Sequence, residues 1–237
     1  KLSASRIINN TDKFAPFLQA IRQTRTALPA SKSVIGFAAS PFTLLSYLIE
    51  GTTSKTHNRT RAYMMSDDRE FHSLMSAVAD CTIEYLKLQI GAGASAVQLF
   101  ESWGDVLSPE VYGKMVLPHL EKIVTAINPI APVILYDKGA SLHINILKAL
   151  AAETDVMLSI DWRVSISEMS NFKVQGNLDP AALESSPEAV RQQTTEILRA
   201  RGGRGGHVFN LGHGISPQAR LECVDAMVDT VMKFSHR

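Results

Sequence analysis

Short apolar runs alternate with longer amphipathic segments along this chain. Six of these runs have the continuous apolar character of parallel strands that are buried on both faces. They lie at residues 34–38, 96–100, 132–136, 156–160, 172–175 and 208–211. Because strands that alternate with helices form a parallel sheet, the pattern predicts an α/β fold.

The segments between these runs have the spacing of amphipathic helices. Their apolar stripes are Phe71, Leu74, Met75, Val78 and Tyr85; Val190, Thr194, Ile197 and Leu198; and Leu221, Val224, Met227, Val228 and Val231. A serine followed by proline occurs at residues 40–41, 108–109, 186–187 and 216–217. Serine suits an N-cap and proline suits the first helical turn, so each pair predicts a helix start.

Two α/β architectures compete, an open doubly wound sheet and a closed barrel. No Gly-x-Gly-x-x-Gly turn follows a predicted strand, which disfavours the open sheet. Polar and glycine residues instead follow the strand ends, as in a (β/α)8 TIM barrel. They are Ser40, Glu101, Ser102, Asp137, Lys138, Gly139, Asp161, Trp162, Asn177, Asp179 and His213. We predict one domain, residues 1–237, with about six of the eight strand–helix units, and expect the other two units N-terminal to Lys1.

The composition of the chain gives no support to several classes of function. The 237 residues are 45% hydrophobic and 20% charged with a net charge of +1, which gives no reason to expect nucleic acid or a membrane as partner. No apolar run has the length of a membrane span and no segment resembles a secretory signal. Cys81 and Cys223 lie far apart in helical patterns, which favours a reducing, cytoplasmic compartment and argues against a structural zinc site.

One histidine has a distinctive setting. His213 lies between Gly212 and Gly214 just after the last apolar run, where the glycines free the backbone to bend and the imidazole to face a ligand. The other histidines show no motif and are expected on the surface or satisfied in the core. They are His57, His72, His119, His143, His207 and His236.

Five motifs occur in order along the chain. They are Ile35-Gly36-Phe37-Ala38-Ala39-Ser40-Pro41-Phe42-Thr43-Leu44 with Tyr47 and Glu50-Gly51; Gly93-Ala94 with Gln98-Leu99-Phe100-Glu101-Ser102-Trp103; Asp161-Trp162; Gln175-Gly176-Asn177-Leu178-Asp179-Pro180; and Asn210-Leu211-Gly212-His213-Gly214. From about residue 13 to its end the chain therefore resembles the uroporphyrinogen decarboxylase family. The resemblance implies an eight-stranded barrel, usually a homodimer, that removes the carboxyl groups of four acetate side chains of uroporphyrinogen without metal or organic cofactor.

The resemblance also implies substrate-binding residues. Tyr47 corresponds to a pocket tyrosine whose hydroxyl contacts substrate, Phe100 to a residue facing the pocket, Ser102 to a carboxylate contact and His213 to a contact with a substrate side chain. Tyr47, Ser102 and His213 also have a purely structural interpretation. Tyr47 could be a half-buried helix tyrosine, Ser102 a serine bonding its own loop, and His213 a histidine satisfied by turn backbone.

Other polar residues in the motifs are expected to support the scaffold. Glu101 would repel substrate carboxylates if it faced the pocket, so we expect it to hold loop structure. Asp161, Asn177 and Asp179 are interpreted as residues that bond loop backbone or open turns. Lys138 is expected to be solvated, with service to an anionic substrate as the alternative.

The family's cation-stabilising aspartate and carboxylate-binding arginines lie on Phe-Ser-Asp and Met-Arg-Gln-Ala-Gly-Arg segments, which do not occur here. We therefore expect the catalytic residues N-terminal to Lys1, none within this chain, and no turnover by these residues alone. One alternative is an inactive, shortened paralogue that binds porphyrinogen or a partner. Another is a corrinoid-linked methyltransferase of the same barrel family, which would need zinc held by His and Cys ligands.

Overall fold

A computed structural model describes residues 11–52 and 54–235, so His236 lies outside the described residues. The chain divides into two compact units, Lys1–Val156 and Met157–Arg237. Each unit combines three parallel strands with helices. The prediction of an α/β fold is confirmed, and each of the six apolar runs overlaps a strand, the last of them only at Val208.

The first unit is built on strands β1 (Ile35–Ala39), β2 (Ala96–Glu101) and β3 (Val133–Asp137). Its helices are α1 (Ala15–Ala27), α2 (Pro41–Glu50), α3 (Asn58–Ser66), α4 (Asp68–Gly91), α5 (Pro109–Met115), α6 (Leu117–Ile127) and α7 (Ala140–Thr154). The register places Ala39 beside Phe100 and Glu101 beside Asp137, so the strands end together. Side chains that follow these strand ends therefore gather at one edge of the sheet.

Local sequence chemistry sets the helix starts and the core of this unit. Asp67 caps α4 by accepting a hydrogen bond from Glu70 N, and Ser108 caps α5 by accepting from Val111 N. Phe71, Met75 and Val78 are buried, as the predicted α4 stripe requires. Burial of each such side chain stabilises the fold by about 1.5–3 kcal/mol, so the stripe fixes which face of α4 packs inward.

One side chain on α4 bonds strand backbone. The amide of Gln89 accepts from Phe37 N at 2.9 Å and donates to Phe37 O at 2.8 Å. Ser40 N bonds Phe100 O in β2, and alternate residues of a strand point to alternate edges, so the Phe37 peptide groups face away from β2. Gly36 makes room for this contact, since an added Cβ would come 2.7 Å from Gln89 Oε1.

The second unit contains β4 (Met157–Ser159), β5 (Val174–Gln175) and β6 (His207–Val208), with helices α8 (Pro187–Arg201) and α9 (Leu221–Ser235). Leu158 pairs with Val174, and Val174 with His207. An isolated bridge joins Leu178 to Leu211 beyond the strand ends. The buried cluster consists of Leu178, Ala182, Leu183, Val190, Cys223 and Ala226.

One predicted helix start is wrong. Ser216-Pro217 opens a turn, because Ser216 Oγ accepts from Gln218 N and Ser216 O accepts from Ala219 N, and α9 begins only at Leu221. The serine therefore satisfies a turn instead of a helix N-terminus. Cys81 and Cys223 do lie in helices and are free thiols. None of the described helices is both long and apolar enough to cross a membrane.

Candidate functional site

The carboxyl end of β2 is organised by a buried carboxylate. Glu101 is completely buried and accepts hydrogen bonds from Ser40 Oγ, from Thr43 Oγ1 at 2.6 Å and from Trp103 N at 3.2 Å. Ser40 precedes α2 and Thr43 lies in its first turn. Glu101 thus ties the start of α2 to the loop after β2, as expected for a residue that holds loop structure.

Burial also changes the chemistry of Glu101. Desolvation raises the pKa of this carboxyl to about 7, and the charge of neighbouring Asp137 acts in the same direction. The hydrogen bonds from Ser40 and Thr43 oppose the shift because they favour the charged form. Glu101 can therefore take up or release a proton near neutral pH.

A second buried polar cluster lies under the next strand end. Asp137 Oδ1 accepts from Gly139 N at 2.6 Å, and Asp137 Oδ2 lies 3.5 Å from His143 Nδ1. The ring of His143 stacks on that of Tyr112 at 4.0 Å. Gly104 is required here, since an added Cβ would lie 3.0 Å from Asp137 Oδ1. Burial and the charge of Asp137 together keep the Tyr112 hydroxyl protonated by raising its pKa.

Three of the predicted substrate-binding residues lie at this edge of the first unit. Ser102 N donates to Thr43 Oγ1 at 2.9 Å, which fixes the serine against α2. The ring of Tyr47, farther along α2, meets the Trp103 ring edge-on at 6.3 Å, and 43% of Tyr47 is exposed. Phe100 contacts the rings of Phe37 and Tyr136 on the neighbouring strands. The structure thus brings Tyr47 and Ser102 to the same strand end.

A third group of side chains surrounds Trp103. Lys138 Nζ lies 4.9 Å over the indole ring and 3.2 Å from Asp105 Oδ2. Lys138 is therefore only partly solvated, because a carboxylate and an aromatic face both hold its ammonium group. The His57 ring packs 4.4 Å from the indole and is fully buried. Burial lowers the pKa of His57, against the opposing charges of Glu50 and Asp105.

The buried polar atoms around Trp103 could accommodate polar ligand atoms. No group in the described part of the chain hydrogen-bonds either ring nitrogen of His57, the indole Nε1 of Trp103 or Oδ1 of Asp105. The expectation that His57 is on the surface or satisfied in the core therefore fails. His72 and His119 agree with that expectation, since they bond each other at 3.0 Å. Across residues 11–52 and 54–235, no three His, Cys, Asp or Glu side chains group as a metal site.

In the second unit, polar motif residues bond backbone. Asp161 is buried and accepts from Arg163 N at 2.9 Å and from its guanidinium at 2.6 Å. Asn177 donates to Asp161 O at 3.1 Å and to Val164 O at 2.6 Å. Asp179 accepts from Ala181 N at the start of a short 3-10 helix. These three residues hold turns together, as predicted.

His213 stands in a turn shaped by close backbone contact. A Cβ added at Gly212 would lie 2.5 Å from Trp162 N, so only glycine fits against residues 161–162. The imidazole is exposed, and its Nδ1 accepts from Gly214 N at 2.6 Å. That bond is the local backbone contact that the structural interpretation of His213 anticipated.

Sequence reasoning missed several residues of the first unit. Thr43 bridges Glu101 and Ser102, yet in the sequence it was only one letter of a longer motif. Asp137 was noted as a strand-end residue, but its link to His143 spans a turn of α7 that no pattern signals. The role of His57 could not be predicted, because the spacing of nearby residues in the sequence indicates neither its burial nor its contact with Trp103.

Comparisons with known proteins show the family of this chain. A family model described as uroporphyrinogen decarboxylase (URO-D) matches residues 1–234. The uroporphyrinogen decarboxylase of Carboxydothermus hydrogenoformans is 39% identical over 97% of this chain and 67% of its own length. That of Aquifex aeolicus is 37% identical, over 99% of this chain and 71% of its own length. The chain belongs to the uroporphyrinogen decarboxylase family, and it spans about two thirds of the length of these relatives.

Solved structures of proteins with low sequence identity share the fold of this chain. A methyltransferase from Methanosarcina mazei superposes with a TM-score of 0.78 at 19% identity, over 92% of this chain and 63% of that protein. A B12-independent methionine synthase from Shewanella sp. W3-18-1 gives a TM-score of 0.62 at 13% identity, over 92% of this chain and 67% of that protein. At such identities the likeness establishes a shared fold alone.

Proposed function

We propose that this chain is part of a uroporphyrinogen decarboxylase, which converts uroporphyrinogen III to coproporphyrinogen III in haem biosynthesis. Family membership and the names of the relatives support the proposal. The observation that carries it is the arrangement at the end of β2, where Thr43 and Trp103 hold Ser102 and Tyr47 at one strand end.

The proposal includes the architecture. Residues 1–237 would form one domain with about six strand–helix units of a (β/α)8 TIM barrel. The share of the relatives' length that the chain covers is in keeping with two further units. The catalytic aspartate and arginines are assigned to those units, and none to this chain. The intact mass of the native polypeptide tests this, with a value well above 25.9 kDa expected.

The proposed reaction needs no metal or organic cofactor, because the substrate supplies its own electron sink. Protonation of a pyrrole ring carbon creates a cation, and the bond between the acetate methylene and its carboxylate then breaks. The electron pair of that bond flows into the cationic ring as CO2 leaves, which gives an exocyclic methylene. The methylene carbon then takes up a proton to become the methyl group, and the ring carbon releases the proton it had gained, so one proton is consumed overall. The protein must therefore place a proton donor, stabilise a buried cation and hold a polyanion.

Four residues of this chain would hold substrate. The Tyr47 and Ser102 hydroxyls would donate hydrogen bonds to substrate, Phe100 would pack against the macrocycle, and His213 would bond a side-chain carboxylate. A hydrogen bond to a charged group contributes about 1.5–3 kcal/mol, so each is a substantial part of substrate recognition. We also propose a cytoplasmic homodimer, a location that the free thiols favour.

The test is a decarboxylation assay on the full-length protein with uroporphyrinogen III, with products separated by chromatography after oxidation to porphyrins. We expect Ser102→Ala and Tyr47→Phe to lower kcat/KM by about 10- to 100-fold. Ser73→Ala, which changes an exposed serine on α4, is the matched control and should keep wild-type rates.

Each contrary result points to a different alternative. Binding of porphyrinogen without any CO2 release would replace the proposal with the non-catalytic paralogue. Stoichiometric zinc in the purified protein, together with methyl transfer to a thiol, would replace it with the methyltransferase. Equal rates in the Ser102, Tyr47 and control variants would leave the enzyme but remove these residues from its site.

A further inference from the structure

A cavity of about 740 Å3 in the second unit is lined by an unusual concentration of arginine. Arg199 and Arg201 lie in the last turn of α8, and Arg204 follows in the loop of residues 202–206 that leads into β6. His207 and the loop glycines complete the polar side. A cavity of this volume is within the range of small-molecule sites.

These arginines differ from the others in the same unit. Arg163 pairs with Asp161, Arg191 with Glu188 and Arg220 with Glu222. Within residues 157–235, no carboxylate pairs with Arg199, Arg201 or Arg204, and none lines the cavity. The helix dipole favours cations in the last turn of α8, which accounts for two of them but not for Arg204.

Arg201 is the residue that most needs explanation. It is 3% exposed, and its guanidinium donates to Met169 O, Phe172 O and Gly205 O at 2.7–2.9 Å. These carbonyls fix the planar group but carry no charge to neutralise it, and its buried Nε has no partner. Burial and the nearby charge of Arg204 lower the pKa of Arg201. A bound anion would offset both the desolvation of the guanidinium and its repulsion by Arg204.

The cavity also has an apolar wall. Phe209, Val231 and Phe234 are partly buried and line it together with Leu198. The cavity lies at the amino end of β6, since the arginine loop precedes this strand and His213 follows it. It is therefore a site separate from the turn that carries His213.

We propose that this cavity binds an organic anion, with a carboxylate or phosphate group at Arg199, Arg201 and Arg204 and an apolar body against Phe209 and Phe234. Arg201 supplies a fixed positive charge whose Nε has no partner, and the two exposed arginines close on the charged group. The site does not depend on the decarboxylase proposal, because it shares no residue with the substrate contacts assigned above.

Calorimetric titration of the full-length protein tests the site. The probes are phenyl phosphate and phenylacetate, which separate the two anionic groups, with inorganic phosphate and benzyl alcohol as the charged and apolar halves alone. We expect at least one of the organic anions to bind with one-to-one stoichiometry, and at least tenfold more tightly than either half.

The variant for this test is the double change Arg199→Gln and Arg204→Gln. Both side chains are exposed and make no internal hydrogen bond among the described residues, so the fold should persist. We expect binding of the organic anion to weaken at least tenfold. Arg191→Gln, an exposed arginine on the same helix outside the cavity, is the control and should change affinity less than twofold.

Several results would overturn the proposal. Neither organic anion binding at millimolar concentration would remove the site. Equal affinity in the double variant and the Arg191→Gln control would place binding elsewhere. Inorganic phosphate binding as tightly as phenyl phosphate would contradict the role of the apolar wall, and benzyl alcohol binding as tightly would contradict the role of the arginines.

Discussion

The end of β2 in the first unit and the turns of residues 161–179 and 210–214 in the second are built in opposite ways. In the first, polar side chains bond one another, as Glu101 does with Ser40 and Thr43. In the second, polar side chains bond backbone, and Asn177 and Gly212 bring loops into direct contact.

This difference separates two ways to position a binding residue. The first region positions its residues through hydrogen bonds to the buried carboxyl of Glu101, so a change in the protonation of Glu101 should change their positions. The second positions its residues through backbone shape, so an added methyl group should change it. Tyr47 and Ser102 belong to the first kind of support and His213 to the second.

The largest expected effect is in the second region. Gly212→Ala would bring Cβ to 2.5 Å from Trp162 N and 3.0 Å from the carbonyl carbon of Asp161, which are backbone atoms that cannot rotate away. We expect the free energy of unfolding to fall by about 3 kcal/mol, as in other overpacked sites. Urea denaturation followed by circular dichroism measures it.

A neighbouring glycine provides the control. Nothing lies within 4 Å of a Cβ added at Gly214, so Gly214→Ala should stay within about 1 kcal/mol of wild type. If both variants lost the same stability, the shape of the turn would not depend on the contact with residues 161–162, and the contrast drawn above would fail.

The next effect concerns Glu101 and pH. Its pKa is raised to about 7 in the folded protein, from the usual 4.5 of a glutamate, so folding favours the protonated form. Its contribution to stability is complete below about pH 4.5 and is lost as pH rises through about 7. We expect Glu101→Gln to remove a fall of about 3 kcal/mol in the free energy of unfolding between pH 4.5 and 8.

The difference between wild type and variant isolates this effect. Buried histidines whose pKa is lowered, such as His119 at about 4, give the opposite slope over part of this range but are common to both proteins. Glu110→Gln, which changes an exposed carboxylate on α5, should leave the pH dependence unchanged. Parallel curves for wild type and Glu101→Gln would show that Glu101 is not protonated on folding.

The smallest effect concerns the ion pair beside Trp103. Lys138 and Asp105 have side chains that are 30% and 25% exposed, and Lys138 also lies over the indole. A double-mutant cycle with Lys138→Met and Asp105→Asn should give a coupling of about 1 kcal/mol. The Lys114–Asp68 pair, whose side chains are 65% and 59% exposed, should couple more weakly. Equal coupling would mean that burial beside Trp103 adds nothing.

The strands and most helix starts could be predicted because their signals are local. A buried parallel strand needs a continuous apolar run, and Ser108-Pro109 and Ser186-Pro187 carry their capping chemistry within a few residues. Ser216-Pro217 failed because the same dipeptide also suits a turn, and only the position of α9 decides between the two. Ser40 likewise starts a helix, but its hydroxyl bonds Glu101 instead of capping it.

The candidate site was predictable only where a motif carried it. The motif that contains Phe100 and Ser102 also contains Glu101, and its expected role in loop structure agrees with its hydrogen bonds. The contacts of Lys138 and His57 with Trp103 depend on side chains from different loops meeting in space. Single-sequence spacing does not encode such meetings, so these residues appeared solvated or inert until the structure placed them.

The Gln89 amide has a consequence for how β1 meets a neighbouring strand. By bonding both peptide groups of Phe37, it imitates one residue of an adjacent strand and occupies the middle of that edge. In the barrel proposed above, the strand of the preceding unit would lie along this edge, so it would either bulge around Gln89 or take over the Phe37 peptide groups. Strand pairing at this edge of β1 therefore competes with the two hydrogen bonds of a helix side chain.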